Sequence, residues 1–171
     1  MPSPYSDITG GLLASGANRA RAEITRAANT TAYAAGDIIN GSGLTVPIPL
    51  SVARQANGRG EITQVLLETD LATITNGDIR VHFFRESHTL AADNAAFASL
   101  HANRANYLGF VTLPTLIAMG GGAAAKDDDL RIPFQASSSS EKIYAVLEAL
   151  GAYTPASGQV ISLSVGVILY D

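Results

Sequence analysis

The chain has 171 residues, a length typical of one domain that buries about 70% of the surface exposed by its unfolded form. Its net charge is −4 and only 15% of its residues are charged, so it lacks the clustered Lys and Arg that nucleic-acid binding needs. It contains no cysteine, which excludes disulfides, a thiolate nucleophile and thiolate metal sites.

The low fraction of charged residues indicates how the surface of the protein is used. An average soluble domain has about 25% charged residues, and interface cores are depleted of charge. The composition therefore predicts that part of the surface is covered by another protein. The alternative is a solvent-exposed surface rich in Ser, Thr and Asn, which are polar but uncharged.

The first residues differ from the rest. Residues 1–21 contain two prolines, a Gly10-Gly11 pair and a single apolar anchor, Leu12-Leu13, without a period of 2 or 3.6. They predict an extended N-terminal arm, followed by one domain over residues 22–171. The arm is either a loose terminus or a tether to a neighbouring subunit. It has neither the basic nor the apolar region of a signal peptide, and no run of about 18 apolar residues predicts a membrane span, so synthesis in a cytoplasm is expected.

A small basic cluster lies at the end of the arm. Arg19, Arg21 and Arg26 flank Glu23. With a carboxylate among them, these side chains fit a solvated or interface-pairing arm better than a DNA contact.

The body of the chain contains about eight predicted strands, recognised by alternation of apolar and polar residues. In chain order they cover residues 23–28, 34–39, 61–71, 78–85, 108–113, 130–136, 142–150 and 159–169. In the last of them, five apolar residues from Ile161 to Leu169 alternate with Ser162, Ser164 and Gly166.

Three details of these strands can be tested. The turn sequence Asn76-Gly77-Asp78 predicts that residues 61–71 and 78–85 form a hairpin. Alternation within residues 78–85 predicts that His82 and Phe84 point outward. Pro133 cannot donate to a ladder, so its strand is expected at a sheet edge.

Helix is predicted only sparsely. Asp93–Ala105 is rich in Ala and Leu, and Asp93 is a possible N-cap, whereas Leu116–Met119 runs into three glycines and is interpreted as a loop. Short strands with turns between them predict an all-β fold, an antiparallel β-sandwich or jelly roll with one or two short helices.

The sequence predicts no catalytic, cofactor or metal site. His82, His88 and His101 lack metal-ligand spacing, and no Gly-x-Ser-x-Gly motif occurs. Asp127-Asp128-Asp129 is the only acidic run. It fits a solvated loop better than a Ca²⁺ site, since EF-hand spacing is missing.

Several blocks of sequence occur in an order that resembles a known family. They are Thr30–Asp37, Phe83–Ser87, Ala92–Phe97, Tyr107–Val111, Ala149–Pro155 and the terminal strand. This order resembles small β-rich proteins encoded among the structural genes of tailed phages and prophages. The similarity spans roughly Arg26 to Leu169.

The resemblance implies a head decoration, or cement, protein. Such a protein binds the major capsid protein on the surface of the virion, usually as a homotrimer at local three-fold positions, and needs no active site, nucleic acid or membrane. The candidate partner contacts are Tyr5, Leu12, Leu13, Arg19, Arg21, Phe84, Phe97 and Tyr153.

Two other functions fit the same fold class. One is a tail or head-fibre module that recognises a host receptor or glycan through residues 88–106, although the absence of Trp makes a glycan platform less favourable. The other is a hydrolase on a jelly roll, which lacks a metal or nucleophile constellation. Fold alone does not separate them.

Overall fold

The computed structural model describes residues 17–70, 78–98 and 100–170. They form an all-β sandwich of two antiparallel sheets, which confirms the predicted fold class. In chain order the strands are β1 (Ala17–Thr25), β2 (Ile38–Ile39), β3 (Ile48–Ser51), β4 (Arg59–Thr69), β5 (Ile79–Phe84), β6 (Tyr107–Thr112), β7 (Ile117–Ala118), β8 (Ala123–Asp127), β9 (Ile132–Gln135), β10 (Lys142–Ala149) and β11 (Val160–Leu169).

The strands are divided between a front sheet and a back sheet. The front sheet has the order β1-β11-β4-β8-β7, and β9 also pairs with β4. The back sheet has the order β2-β10-β5-β6, and β3 also pairs with β10. Because β9 pairs only with β4 in the described part of the chain, Pro133 lies in an edge strand as predicted.

The core lies between the sheets and follows from alternation. In β11 the predicted inward residues, from Ile161 to Leu169, are all buried. They join Val65 and Leu67 of β4 and Val81 of β5 in one apolar cluster. Burial of these side chains is the main contribution to the stability of the sandwich.

The predicted hairpin is wrong. Strand β4 belongs to the front sheet and β5 to the back sheet, so the two strands face each other across the core. Both have an apolar face, and that pattern is satisfied equally by pairing side by side and by packing face to face. The turn residues between them, 71–77, lie outside the described residues.

The inner face of β4 contains one irregularity. Alternation in residues 61–71 predicts Thr63, Val65, Leu67 and Thr69 on one face; the last three are buried, but Ile62 takes the place of Thr63 on the inner face. The register with β11 shifts at this point, because Gly166 pairs with Gln64 and Val167 with Ile62. One extra residue in a bulge reverses which side chains point inward.

Two further expectations differ from the structure. Ala17–Arg21, expected in the arm, belong to β1 and pair with β11, whereas residues 1–16 lie outside the described part. The expected helix over Asp93–Ala105 is replaced by turns and one 3-10 helix, Arg104–Asn106. Asp93 does not cap a helix; its carboxylate binds the side chains of Arg26 and Tyr33. No helix among the described residues is long enough to cross a membrane.

Candidate functional site

The two outward faces of the sandwich differ. Much of the outward face of the back sheet is covered by residues 86–98 and 100–106, here called the covering segment, whereas Phe110 of β6, opposite His82, stays 52% exposed on that face. Leu90, Phe97 and Leu100 of this segment pack on Phe84 and its neighbours in a second apolar cluster. Phe84 is therefore fully buried, and β5 is enclosed on both faces.

His82 is held beneath the covering segment. Its Nε2 lies 2.9 Å from Glu148 Oε2, its Nδ1 lies 3.1 Å from the Tyr107 hydroxyl, and its ring contacts Phe97. Burial lowers the pKa of His82, against the opposing effect of the Glu148 carboxylate. His82 lies on the outward face of β5 as predicted, but this part of the face is buried. Both ring nitrogens bind residues of the back sheet, and the ring contacts the covering segment through Phe97.

A buried polar network fixes the other end of the cover. The side chain of Arg26 is fully buried, its Nη2 lies 2.9 Å from Asp93 Oδ2, and its Nε–H donates to the Tyr33 hydroxyl. The Tyr33 hydroxyl in turn donates to Asp93 Oδ1 at 2.6 Å, and its ring stacks on Tyr153. Burial raises the pKa of both tyrosines. The network joins the end of β1 to the covering segment.

The outward face of the front sheet, here called the bare face, is different. Residues directly opposite each other in paired strands share a face. The strand register therefore shows which side chains lie side by side in rows across the bare face. The rows are Arg19-Gly166-Gln64, Arg21-Ser164-Leu66-Lys126 and Glu23-Ser162-Glu68-Ala124-Ile117. The β1 side chains are exposed, whereas Ser162 and Ser164 form a floor shielded by their neighbours. The Arg21 Nε–H donates to Ser162 Oγ at 2.6 Å.

One end of the bare face contains an apolar groove of about 640 Å³. It is lined by Leu66, Glu68, Thr69, Pro114, Thr115, Ile117, Met119, Gly122, Ala123, Ala124, Ala125 and Lys126. Ile117 and Met119 are 71% and 69% exposed, the highest values among the large apolar residues described. Two such side chains beside a groove are typical of a surface that another protein covers.

A glycine sets the position of the groove. A Cβ on Gly122 would lie 2.3 Å from the Thr69 carbonyl oxygen. Only a residue without a side chain permits the turn between β7 and β8 to approach the end of β4 this closely. The groove is the space that this approach leaves beside Leu66 and Ile117.

The structure brings together only some of the predicted contacts. Arg19 and Arg21 lie on the bare face and are exposed. Phe84 is buried beneath the covering segment, and Phe97 of that segment is half-buried against it. Tyr153 is buried in the main core, where its ring stacks on Tyr33. Tyr5, Leu12 and Leu13 lie outside the described residues.

Sequence reasoning missed Ile117 and Met119. Leu116–Met119 was interpreted as a loop because it runs into Gly120-Gly121-Gly122. The signal that would have identified them is the alternation of Ile117 and Met119 about Ala118, followed by a glycine turn and the Ala-rich β8. That pattern is typical of a short edge hairpin.

Within the described ranges, no group of three His, Asp or Glu side chains is arranged to hold a metal ion. Asp128 pairs with Lys126 at 2.5 Å, and Asp127 Oδ1 accepts the backbone N–H of Asp129. This lysine contact lowers the pKa of Asp128. The acidic run therefore ends β8 as an exposed, locally paired turn.

No protein-family model matches the chain, and no curated protein matches it. Among solved structures, it is similar to a chain of the cyanophage Pam1 capsid asymmetric unit, at 12% identity and a TM-score of 0.39, over 91% of this chain and 86% of that one. It is also similar to a chain of the acidic stable capsid structure of Helicobacter pylori bacteriophage KHP30, at 17% identity and a TM-score of 0.32, over 91% and 89%. Both neighbours come from phage capsids. With TM-scores below 0.5, neither similarity carries an argument about what this chain binds.

Proposed function

We propose that this chain is a non-enzymatic structural protein of a phage virion, which decorates the capsid by docking its bare face on the major capsid protein. The observation that carries the proposal is the difference between the two outward faces. Among the described residues, the covering segment packs over much of the back sheet, whereas Arg19, Arg21 and the apolar groove on the front sheet stay exposed.

The chemistry of the bare face suits a protein partner. Its floor of serines and Gly166 is uncharged, the charged side chains of β1, Glu68 and Lys126 lie around it, and the apolar groove lies at one end. Apolar area combined with polar and charged side chains is the usual composition of an interface. The low total charge of the chain and the order of its sequence blocks, which resembles small phage structural proteins, support the same role.

The face is about the size of one standard interface. Four strand spacings and nine residues of β1 give about 19 by 30 Å in projection. The accessible area of such a patch exceeds its projection and is of the order of the ~800 Å² that each partner contributes to a standard interface. Self-association, as a homotrimer at local three-fold positions, would let several such contacts act together on the capsid lattice.

A decoration protein acts by mass action. Because it binds assembled, folded subunits and not unfolded chains, it stabilises the shell in proportion to its occupancy. Such a role requires surface complementarity and no reacting group. The hydrogen-bonded His82 beneath the covering segment fits this account, since its nitrogens are occupied within the chain.

The test is to add the purified protein to capsids that lack it, taken from the phage that encodes it. We expect stoichiometric co-sedimentation and a higher temperature of genome release. Binding to host cells or glycans without binding to capsids would contradict the proposal and would favour a receptor-recognition module.

A further inference from the structure

The apolar groove needs an occupant, and the chain contains a matching segment. Residues 1–16 carry one charged side chain, Asp7, and the adjacent pair Leu12-Leu13. They continue into Ala17, which lines a cavity on the bare face together with Arg19, Gln64 and Gly166. Ala17, to which residues 1–16 connect, therefore lies on the same face as the groove, at its opposite end.

We propose that Leu12 and Leu13 of one copy occupy the apolar groove, beside Ile117 and Met119, of a second copy of this chain. The inference requires self-association and does not depend on binding to a capsid.

The reach of the chain keeps Leu13 away from Ile117 of the same copy. The row Glu23-Ser162-Glu68-Ala124-Ile117 crosses four strand spacings, about 19 Å. Ala17 lies six residues from Glu23 along β1, about 20 Å. Ile117 is therefore about 28 Å from Ala17 by this geometry, whereas Leu13 reaches at most about 14 Å from it when fully extended.

The arrangement also accounts for a closed oligomer. Each copy offers one Leu12-Leu13 segment and one groove, on different parts of its surface, so the contact is head-to-tail. Contacts of this kind generate rings when the rotation between copies closes. Gly10 and Gly11 lie on the N-terminal side of the leucines. As glycines they would let the backbone change direction there, beyond the contact with the groove.

Because the chain has no native cysteine, disulfide trapping tests the proposal directly. A Leu13→Cys chain and a Met119→Cys chain are mixed, oxidised and separated under non-reducing, denaturing conditions. Beyond the dimers that each variant forms when oxidised alone, we expect an additional reducible species of twice the 17.7 kDa chain mass. The matched control pairs Leu13→Cys with Leu44→Cys, a partly exposed apolar position away from the groove, and should give at least tenfold less product.

Two results would overturn the proposal. One is equal trapping at residues 44 and 119. The other is a Leu13→Cys/Met119→Cys double variant that closes only within one chain, which would place the leucines in their own groove.

Light scattering gives a second measurement. Since Ile117 and Met119 are exposed, an Ile117→Ser/Met119→Ser variant should stay folded. Its molar mass in solution should fall to that of the monomer, while a Leu44→Ser variant should keep the molar mass of the oligomer. A wild-type chain that is monomeric at high concentration would also overturn the proposal. If instead the groove variant stays oligomeric and only its attachment to capsids fails, the groove holds a capsid segment and this inference is wrong, although the proposed function would stand.

Discussion

Arg26 and Asp93 form a buried ion pair across 67 residues of sequence, with Nη2 and Oδ2 2.9 Å apart. Arg26 follows β1 directly, and Asp93 belongs to the covering segment. The pair therefore ties the edge of the front sheet to the cover of the back sheet. It helps explain why one outward face of the sandwich is closed and the other open.

The first prediction concerns this pair. Asp93→Asn should destabilise the protein by about 3 kcal/mol, because it leaves the buried guanidinium without a counter-charge. Urea unfolding followed by circular dichroism measures the change. The matched control is Asp128→Asn, which removes an exposed pairing with Lys126 and should leave the midpoint unchanged. Equal midpoints for Asp93→Asn and the wild type would contradict the role assigned to the network.

The second prediction concerns pH. Burial lowers the pKa of His82 below its ordinary value near 6.5, and the nearby Arg80 acts in the same direction while Glu148 opposes it. As the pH falls through 6.5, the unfolded chain binds this proton before the folded chain does. Stability is therefore present above that pH and is lost as the pH falls towards the lowered pKa of the folded state.

His82→Gln tests the sign of this effect. Glutamine can still donate to Glu148 but does not titrate. The free energy of unfolding, measured from pH 7.5 to 4.5, should fall less steeply in the variant than in the wild type. If the two proteins lose stability equally as the pH falls, the titration of His82 does not contribute to the pH dependence of unfolding.

The third prediction compares two adjacent glycines beside the groove. Gly122→Ala places a Cβ against the Thr69 carbonyl oxygen, whereas a Cβ on Gly121 has no atom within 4 Å. Gly122→Ala should cost about 1–3 kcal/mol, the range of over-packed sites, and Gly121→Ala should be close to neutral. Thermal unfolding of the two variants side by side measures the difference. Similar melting temperatures would mean that the contact between β4 and the β7–β8 turn is not required.

Much of the fold could be predicted because alternation reports burial directly. Strand β11 was predicted to within a residue, since Ile161 to Leu169 face a single core. What alternation does not report is the partner of a strand. Strands β4 and β5 each have an inward face, and nothing local distinguishes pairing within one sheet from packing between two.

The same limit applies to the candidate site. Phe84 alternates as an outward residue, and it is buried because the irregular segment that follows its strand folds back over it. Arg26 and Asp93 meet across 67 residues, and no spacing rule predicts such a contact. In contrast, Arg19 and Arg21 are exposed, as expected for a solvated or interface-pairing cluster. The same expectation is wrong for Arg26, which is fully buried because Asp93 and Tyr33 pair with it.

The most direct test of the central claim is the occupancy of capsids by two charge-reversed variants. Arg21→Glu changes the bare face, and Arg54→Glu changes an exposed site in the loop after β3, which belongs to the back sheet. Both variants are added at equal concentration to capsids that lack the protein, sedimented and quantified. The account predicts that Arg21→Glu lowers occupancy several-fold while Arg54→Glu binds like the wild type; equal occupancy, or a loss confined to Arg54→Glu, would contradict it.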